Sequence, residues 1–170
     1  MFIANSLLIP TGGFAPLGYR TINGPNYDLR DIYGLTETPQ RNYQVRTKLN
    51  VKSSDGTLRI ASDFNSPGEL LTIKACREYG KPVFDIFVRY SGNRSYKYVS
   101  NPFNHQFEWM HQENENSDFT LMQNGYIIEA FNDWVNEHNI QTLNVAGNSS
   151  QTVPDMFSMA ATVLFHLFQK

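Results

Sequence analysis

Two strand-like stretches of this 170-residue chain run into small, hydrogen-bonding residues and then straight into a helical pattern. In the first, Thr57–Ala61 leads to SDFNSPGE at 62–69; in the second, a strand ending at Ala146 leads to Gly147, Asn148 and Ser149. The unpaired N–H groups of a helix's first turn, with the helix dipole behind them, bind anions wherever they face a cavity. Ser66, Gly68, Gly147, Asn148 and Ser149 are small or hydrogen-bonding, so a phosphate could approach the backbone there. The same residue types are ordinary N-caps, and spacing alone leaves both readings open. Two Arg-Thr pairs could supply charge: Arg20-Thr21 in GYRT and Arg46-Thr47 in QVRT. A guanidinium forks onto phosphate or carboxylate, and threonine adds a donor. A structural ion pair with Asp28, Asp31 or Asp55 is the competing use.

Two carboxylates stand near these loops. Asp55 in SSDGT could meet a ribose hydroxyl or a metal, but Asp-Gly is also a common turn pair, and the turn reading is the stronger. Glu69 could act as a general base, yet its place three residues after Ser66 makes it half of a capping box. The histidines, at 105, 111, 138 and 166, have no metal-ligand spacing. Cys76 falls inside an amphipathic helical pattern and reads as core. No nucleophile–base–acid set can be assembled, and no catalytic residue is expected. Tyr90, Tyr96, Tyr98, Phe103, Phe107 and Trp109 could stack a purine, or pack a hairpin or subunit contact; packing is slightly favoured.

The elements that must position these groups alternate between strand and helix. Residues 2–8 read as the end of a helix, stopped by Pro10 and Gly12-Gly13. Residues 11–38 read as structured loop with one short strand near Phe14, and Thr38-Pro39 as the start of a helix running through Asn50. The strand Thr57–Ala61 is followed by a helix with Ser66 at the N-cap, Pro67 at its first position and Gly80 past its end. The strand Val83–Val88 then completes a right-handed, parallel βαβ unit. Residues 89–124 read as an insertion with a hairpin turn at 91–93 and irregular structure. Tyr126–His138 is an amphipathic helix and Ile140–Ala146 a strand. Thr152, Pro154 and Asp155 imitate the earlier cap before a helix that runs to about Phe168. This is the pattern of a Rossmann-like α/β fold, a mostly parallel sheet flanked by helices, forming one domain over 1–170. Ligands of such sheets sit beyond the carboxyl ends of the strands.

The totals narrow the partners. Lys and Arg number 14 against 16 Asp and Glu, a net charge of −2 with no basic block, which argues against nucleic acid. One cysteine excludes an internal disulfide and fits a reducing compartment. No apolar run is long enough to span a membrane, and MFIANSLLIPTGG lacks the cationic start of a signal peptide, so a cytoplasmic protein is expected. The last helix, MFSMAATVLFHLF, is apolar on nearly every side, and a homo-oligomer contact is its simplest cover.

The segment TGGFAPLGYRTINGP at 11–25 resembles the molybdenum-carrier family, Rossmann-like proteins of the SLOG group related to the Lonely Guy phosphoribohydrolases and DprA. The resemblance continues through Tyr43, Arg46-Thr47, Asn50-Val51, SDGT at 54–57, SPG at 66–68, GKP at 80–82 and LNVAGN at 143–148. Family members usually begin with a strand and a GGQTG-type glycine loop; this sequence opens inside the helix that follows them. SPGELLT matches the PGG-x-GT pattern of the Lonely Guy enzymes only in part. The resemblance implies a ligand site built from Gly12, Gly13, Arg20, Thr21, Arg46, Ser66, Gly68, Glu69, Gly147, Asn148 and Ser149. It implies non-catalytic binding of a nucleotide-derived or other phosphorylated small molecule, for sensing or for sequestration, as by a phage-encoded sponge. A carrier of molybdate or molybdenum cofactor is one alternative. An enzyme cleaving a nucleotide N-glycosidic bond, with Glu69 or Asp55 as its carboxylate, is another.

Overall fold

The computed structural model of the chain describes residues 1–88, 107–109 and 117–169. Its centre is a four-stranded, wholly parallel sheet in the order β7-β6-β5-β8. These strands are β5 (Gly56–Ala61), β6 (Val83–Val88), β7 (Phe107–Trp109) and β8 (Leu143–Gly147). Every residue of β5 is buried, as a strand covered on both faces requires. Its two side-chain rows have different chemistry. Leu58 and Ile60 stand in register with Phe84 and Ile86 of β6. That row packs against α5 (Ser117–Glu137) and α6 (Met156–Phe168) through Ile127, Phe131, Met159 and Val163. The opposite row carries Thr57 and Arg59 and faces α4 (Pro67–Glu78). There α3 (Tyr43–Lys52) and α4 share a smaller cluster of Val51, Ala75 and Cys76. Helices on both faces of a parallel sheet make this a Rossmann-like α/β fold.

The chain enters through α1 (Phe2–Ser6), which packs on α6. Residues 13–37 hold more structure than one strand. β1 (Gly13–Ala15) pairs in parallel with β4 (Leu35–Glu37), and β2 (Arg20–Thr21) pairs antiparallel with β3 (Gly24–Pro25). With α2 (Asp28–Asp31) they enclose a core of Ala15, Tyr19 and Leu35. Asn50 of α3 ties this unit down: its carboxamide accepts from the Phe14 N–H (2.7 Å) and donates to the Phe14 carbonyl (3.2 Å). Gly13 has φ +115°, and a β-carbon there would stand 2.8 Å from the Asn50 oxygen, so the site requires glycine.

Three expected helix starts change. Thr38-Pro39 does not open α3; Thr38 is buried with its hydroxyl on the Gln40 carbonyl, and Asn42 caps the helix by accepting from Gln44 N. Asn42 is extended as an N-cap must be, and exposed Pro39, Gln40 and Arg41 separate it from Thr38. Ser66 is the N-cap residue of α4, but its hydroxyl makes no cap bond and Glu69 does not reach back to it, so there is no capping box. Asp155 begins α6 in the left-handed conformation (φ 62°) without a side-chain cap. Boundaries shift too: β8 begins at Leu143, because Asp55 accepts from Gln141 N (3.1 Å) and Thr142 N (2.7 Å) and holds 141–142 outside the strand. Asp55 is therefore a latch at the amino ends of the strands. Within the insertion, β7 returns parallel to β6; the expected hairpin at 91–93 and the aromatic side chains from Tyr90 to Trp109 lie outside the described residues.

Candidate functional site

Arg59 and Asp85 occupy one register pair of β5 and β6, on the sheet face that α4 covers. Both are buried and joined by a fork, Nε to Oδ1 at 2.8 Å and Nη2 to Oδ2 at 2.5 Å. The guanidinium lies 4.8 Å from the centre of the Phe64 ring and donates through Nη1 to the Glu69 carbonyl at 3.3 Å. Glu69 follows in the first turn of α4, only 2% exposed. Its Oε2 is 3.6 Å from Arg59 Nη1, beyond a hydrogen bond, and has no other partner. One buried cation thus faces two buried carboxylates, and Asp85 takes the better geometry. Burial above all, opposed by Arg59 and aided by Asp85 and Asp63, pushes the Glu69 carboxyl up to about 7.

Glu69 lines a cavity of about 200 Å³ with Arg46, Thr47 and Asn50 of α3, Gly68 and Thr72 of α4, and Asn144, Val145, Ala146 and Gly147 of β8. Most of its polar side chains are already committed. Thr47 and Thr72 donate to carbonyls one turn back, Asn50 holds β1, and Asn144 donates to Thr57. Arg46 is not committed. It is half-buried over the Tyr43 ring at 5.7 Å, and among the described residues its Nε is buried without a hydrogen-bond partner and it stands in no ion pair. Burial without a counter-charge lowers its proton affinity from the ordinary arginine value. The first-turn N–H groups of α4 have no side-chain cap. The cavity therefore presents a guanidinium, an uncapped helix start and a buried carboxyl of raised proton affinity, between α3, the start of α4 and β8. An anionic oxygen bound there would supply the acceptor that Arg46 lacks.

Four expected site residues meet at this cavity: Arg46, Gly68, Glu69 and Gly147. The others stand elsewhere. Ser66 and Asn148 join the two loops instead. The Asn148 oxygen accepts from Ser62 N and Asp63 N, both at 2.9 Å, while its amide donates to the Asp63 carbonyl (2.8 Å) and the Ser66 hydroxyl (3.1 Å). Ser149 bonds Thr152, away from the polar cavity. Thr21 closes the β2–β3 turn on the Gly24 carbonyl, and exposed Arg20 offers its own carbonyl to the Tyr43 hydroxyl. Gly12 and Gly13 serve the β1 entry. Asn50, Thr72 and Asn144 line the cavity without having been singled out as site residues, and Arg59 escaped attention altogether; a lone arginine within the apolar run TLRIA was the available signal. Among the described residues no three His, Cys, Asp or Glu side chains gather as metal ligands.

The parallel sheet and the polar cavity beside β8 define a Rossmann-like protein. The chain belongs to the circularly permutated YpsA SLOG family, whose model its residues 1–114 match. It is also similar to a solved structure, a putative molybdenum carrier protein from Syntrophus aciditrophicus. The two share 25% identity and a TM-score of 0.70, over 99% of this chain and 85% of the other. No curated protein sequence matches it.

Proposed function

We propose that the chain binds the phosphate-bearing part of a nucleotide-derived or other phosphorylated small molecule in the polar cavity, and senses or sequesters it without turnover. The observation that carries this reading is the pair of buried atoms without a hydrogen-bond partner, Arg46 Nε and Glu69 Oε2, whose residues line one cavity. A protonated Glu69 adds a donor beside the anion, where an ionised one would repel it. The cavity's 200 Å³ is below the ~300–1,000 Å³ of sites that hold a whole drug-sized ligand. It suits a phosphate or sugar phosphate, with the rest of the molecule outside. Mass spectrometry and elemental analysis of what denatured protein releases test the reading. A nucleotide or sugar phosphate from the natural chain, absent from Arg46→Ala, is expected. An empty natural chain whose melting is also unmoved by a panel of nucleotides overturns it.

A second reading takes its support from the solved relative's description as a molybdenum carrier. Molybdate is an oxyanion and would use the same Arg46 and α4 N–H groups; molybdenum in the released material decides for it. An N-glycosidic hydrolase has less support. Asp55 sits at the amino ends of the strands, so among the described residues Glu69 is the one carboxyl in the cavity. Free base released from nucleoside monophosphates, and lost in Glu69→Gln, would be its signature.

A further inference from the structure

Two buried atoms of the polar cavity make opposite demands. The Arg46 Nε–H is a donor without an acceptor, and Glu69 Oε2 has no hydrogen-bond partner among the described residues. A buried polar group left so costs free energy until something meets it. A bare oxyanion meets the arginine and not the carboxylate. Its oxygens accept from Arg46 and from the uncapped first-turn N–H groups of α4, but beside an ionised Glu69 they set one acceptor against another. One proton between the two removes the conflict, whichever side brings it.

The elements around Glu69 leave this task to the ligand. Arg59 of β5 stands 3.6 Å from Oε2, but it is forked onto Asp85 of β6 and gives Nη1 to the Glu69 backbone carbonyl. Asp63, in the loop after β5, adds negative charge. From α3 comes Arg46, while Lys48 is paired with Glu78 at the far end of α4. β8 brings no charge, and its Asn144 donates to Thr57. We propose that Glu69 decides which anion the cavity takes: one proton is held between its carboxyl and an oxygen of the bound group, so a phosphate that brings an O–H is preferred to diesters, sulfate and molybdate, which bring none. This rests on the reading that the cavity binds an oxyanion. A phosphate monoester, whose second ionisation falls near pH ~6, brings the proton part of the time. Inorganic phosphate keeps an O–H well above neutrality. Sulfate and molybdate are fully ionised there, so they bind only where Glu69 is protonated. Their affinity should fall as pH rises, approaching tenfold per unit above about 7, with one proton taken up per anion. That of inorganic phosphate should stay nearly level.

Calorimetry with inorganic phosphate, sulfate and molybdate as probes tests this, across a pH series and in two buffers of different ionisation enthalpy. The pair of buffers reads proton uptake on the natural chain, independently of any variant. Uptake of nearly one proton with sulfate and molybdate at the alkaline end, and little with inorganic phosphate, is expected. Glu69→Gln offers a donor at every pH, so it should level the sulfate series and abolish the uptake. Sulfate and phosphate that weaken in parallel, or sulfate bound at alkaline pH without uptake, overturn the proposal and leave the cavity an anion site. Heat from none of the three probes at any pH also overturns it; the reading beneath it then stands or falls on the material that denaturation releases.

Discussion

Glu69 and Arg46 make separable predictions, because burial raises the proton affinity of one and leaves the other without a counter-ion among the described residues. The carboxyl of Glu69 rises from an ordinary 4.5 to about 7 on folding. The folded chain therefore holds the proton more tightly than the unfolded chain. That contribution is fully present below pH 4.5 and is lost as pH rises through 7. Glu69→Gln should flatten the fall in stability across this window, by about 1–3 kcal/mol at its upper end, as read from urea midpoints at a series of pH values. If the two proteins lose stability in parallel, Glu69 is ionised in the fold. Arg46→Ala should abolish ligand retention yet leave the urea midpoint within about 0.5 kcal/mol of the natural chain, the usual range away from buried networks. A large loss of stability would mean that Arg46 supports α3, not a ligand. Arg46 was legible because an Arg-Thr pair on a helical pattern has few uses. Glu69's state was not. Its capping-box spacing was true of the sequence, but the buried Arg59 on the neighbouring strand drew α4's first turn inward, and no local pattern reports a partner ten residues away.

The elements are held at their loops more than by their caps. Ser66, Asn148 and Asp55 were all read locally, and each bonds across the fold. The strands and α4 could be read because burial on both faces and a Pro–Gly frame leave few alternatives. The loop joints could not, since a carboxamide can bond many partners and the chain brings Asn148 to Ser62 only after 86 residues. Asn148→Ala would leave the Ser62 and Asp63 N–H groups without their acceptor. At about 1–3 kcal/mol for a buried group left unsatisfied, and less for the part-buried Asp63 N–H, a loss of roughly 1–4 kcal/mol is expected by chemical denaturation. Asn148→Asp keeps the acceptor and loses the donor, so it should recover part of this; equal loss in both variants would place the effect on the Ser66 side. Gly147 is fixed by packing. A β-carbon there would fall on the Ile60 carbonyl oxygen, so Gly147→Ala must part β8 from β5. Reduced protection of β8 amides in hydrogen exchange is the expected sign.

At the scale of the whole molecule, β8 is, among the described elements, the one that borders both the polar cavity and an apolar hollow of about 300 Å³ beside α1 and α6, with Val145, Ala146 and Gly147 lining each. A contact made along β8 would therefore reach both hollows. An anion held by Arg46 of α3 and Glu69 of α4 beside β8 draws three elements together, and whatever binds only the folded chain stabilises it by mass action. Inorganic phosphate at about a hundredfold over its Kd should raise the unfolding free energy by about 2.7 kcal/mol, as read from urea midpoints. The sulfate complex holds a proton that the free chain gives up as pH rises, so the increment from sulfate at fixed concentration should shrink through pH 7 while that from phosphate persists. Phe157 borders the apolar hollow and not the polar one, so Phe157→Ala tests whether β8 carries the effect across. The strand is paired with β5 along its whole length, and as a fixed partition it should leave the phosphate increment in that variant unchanged. A smaller increment would show that the two hollows communicate through the strand they share.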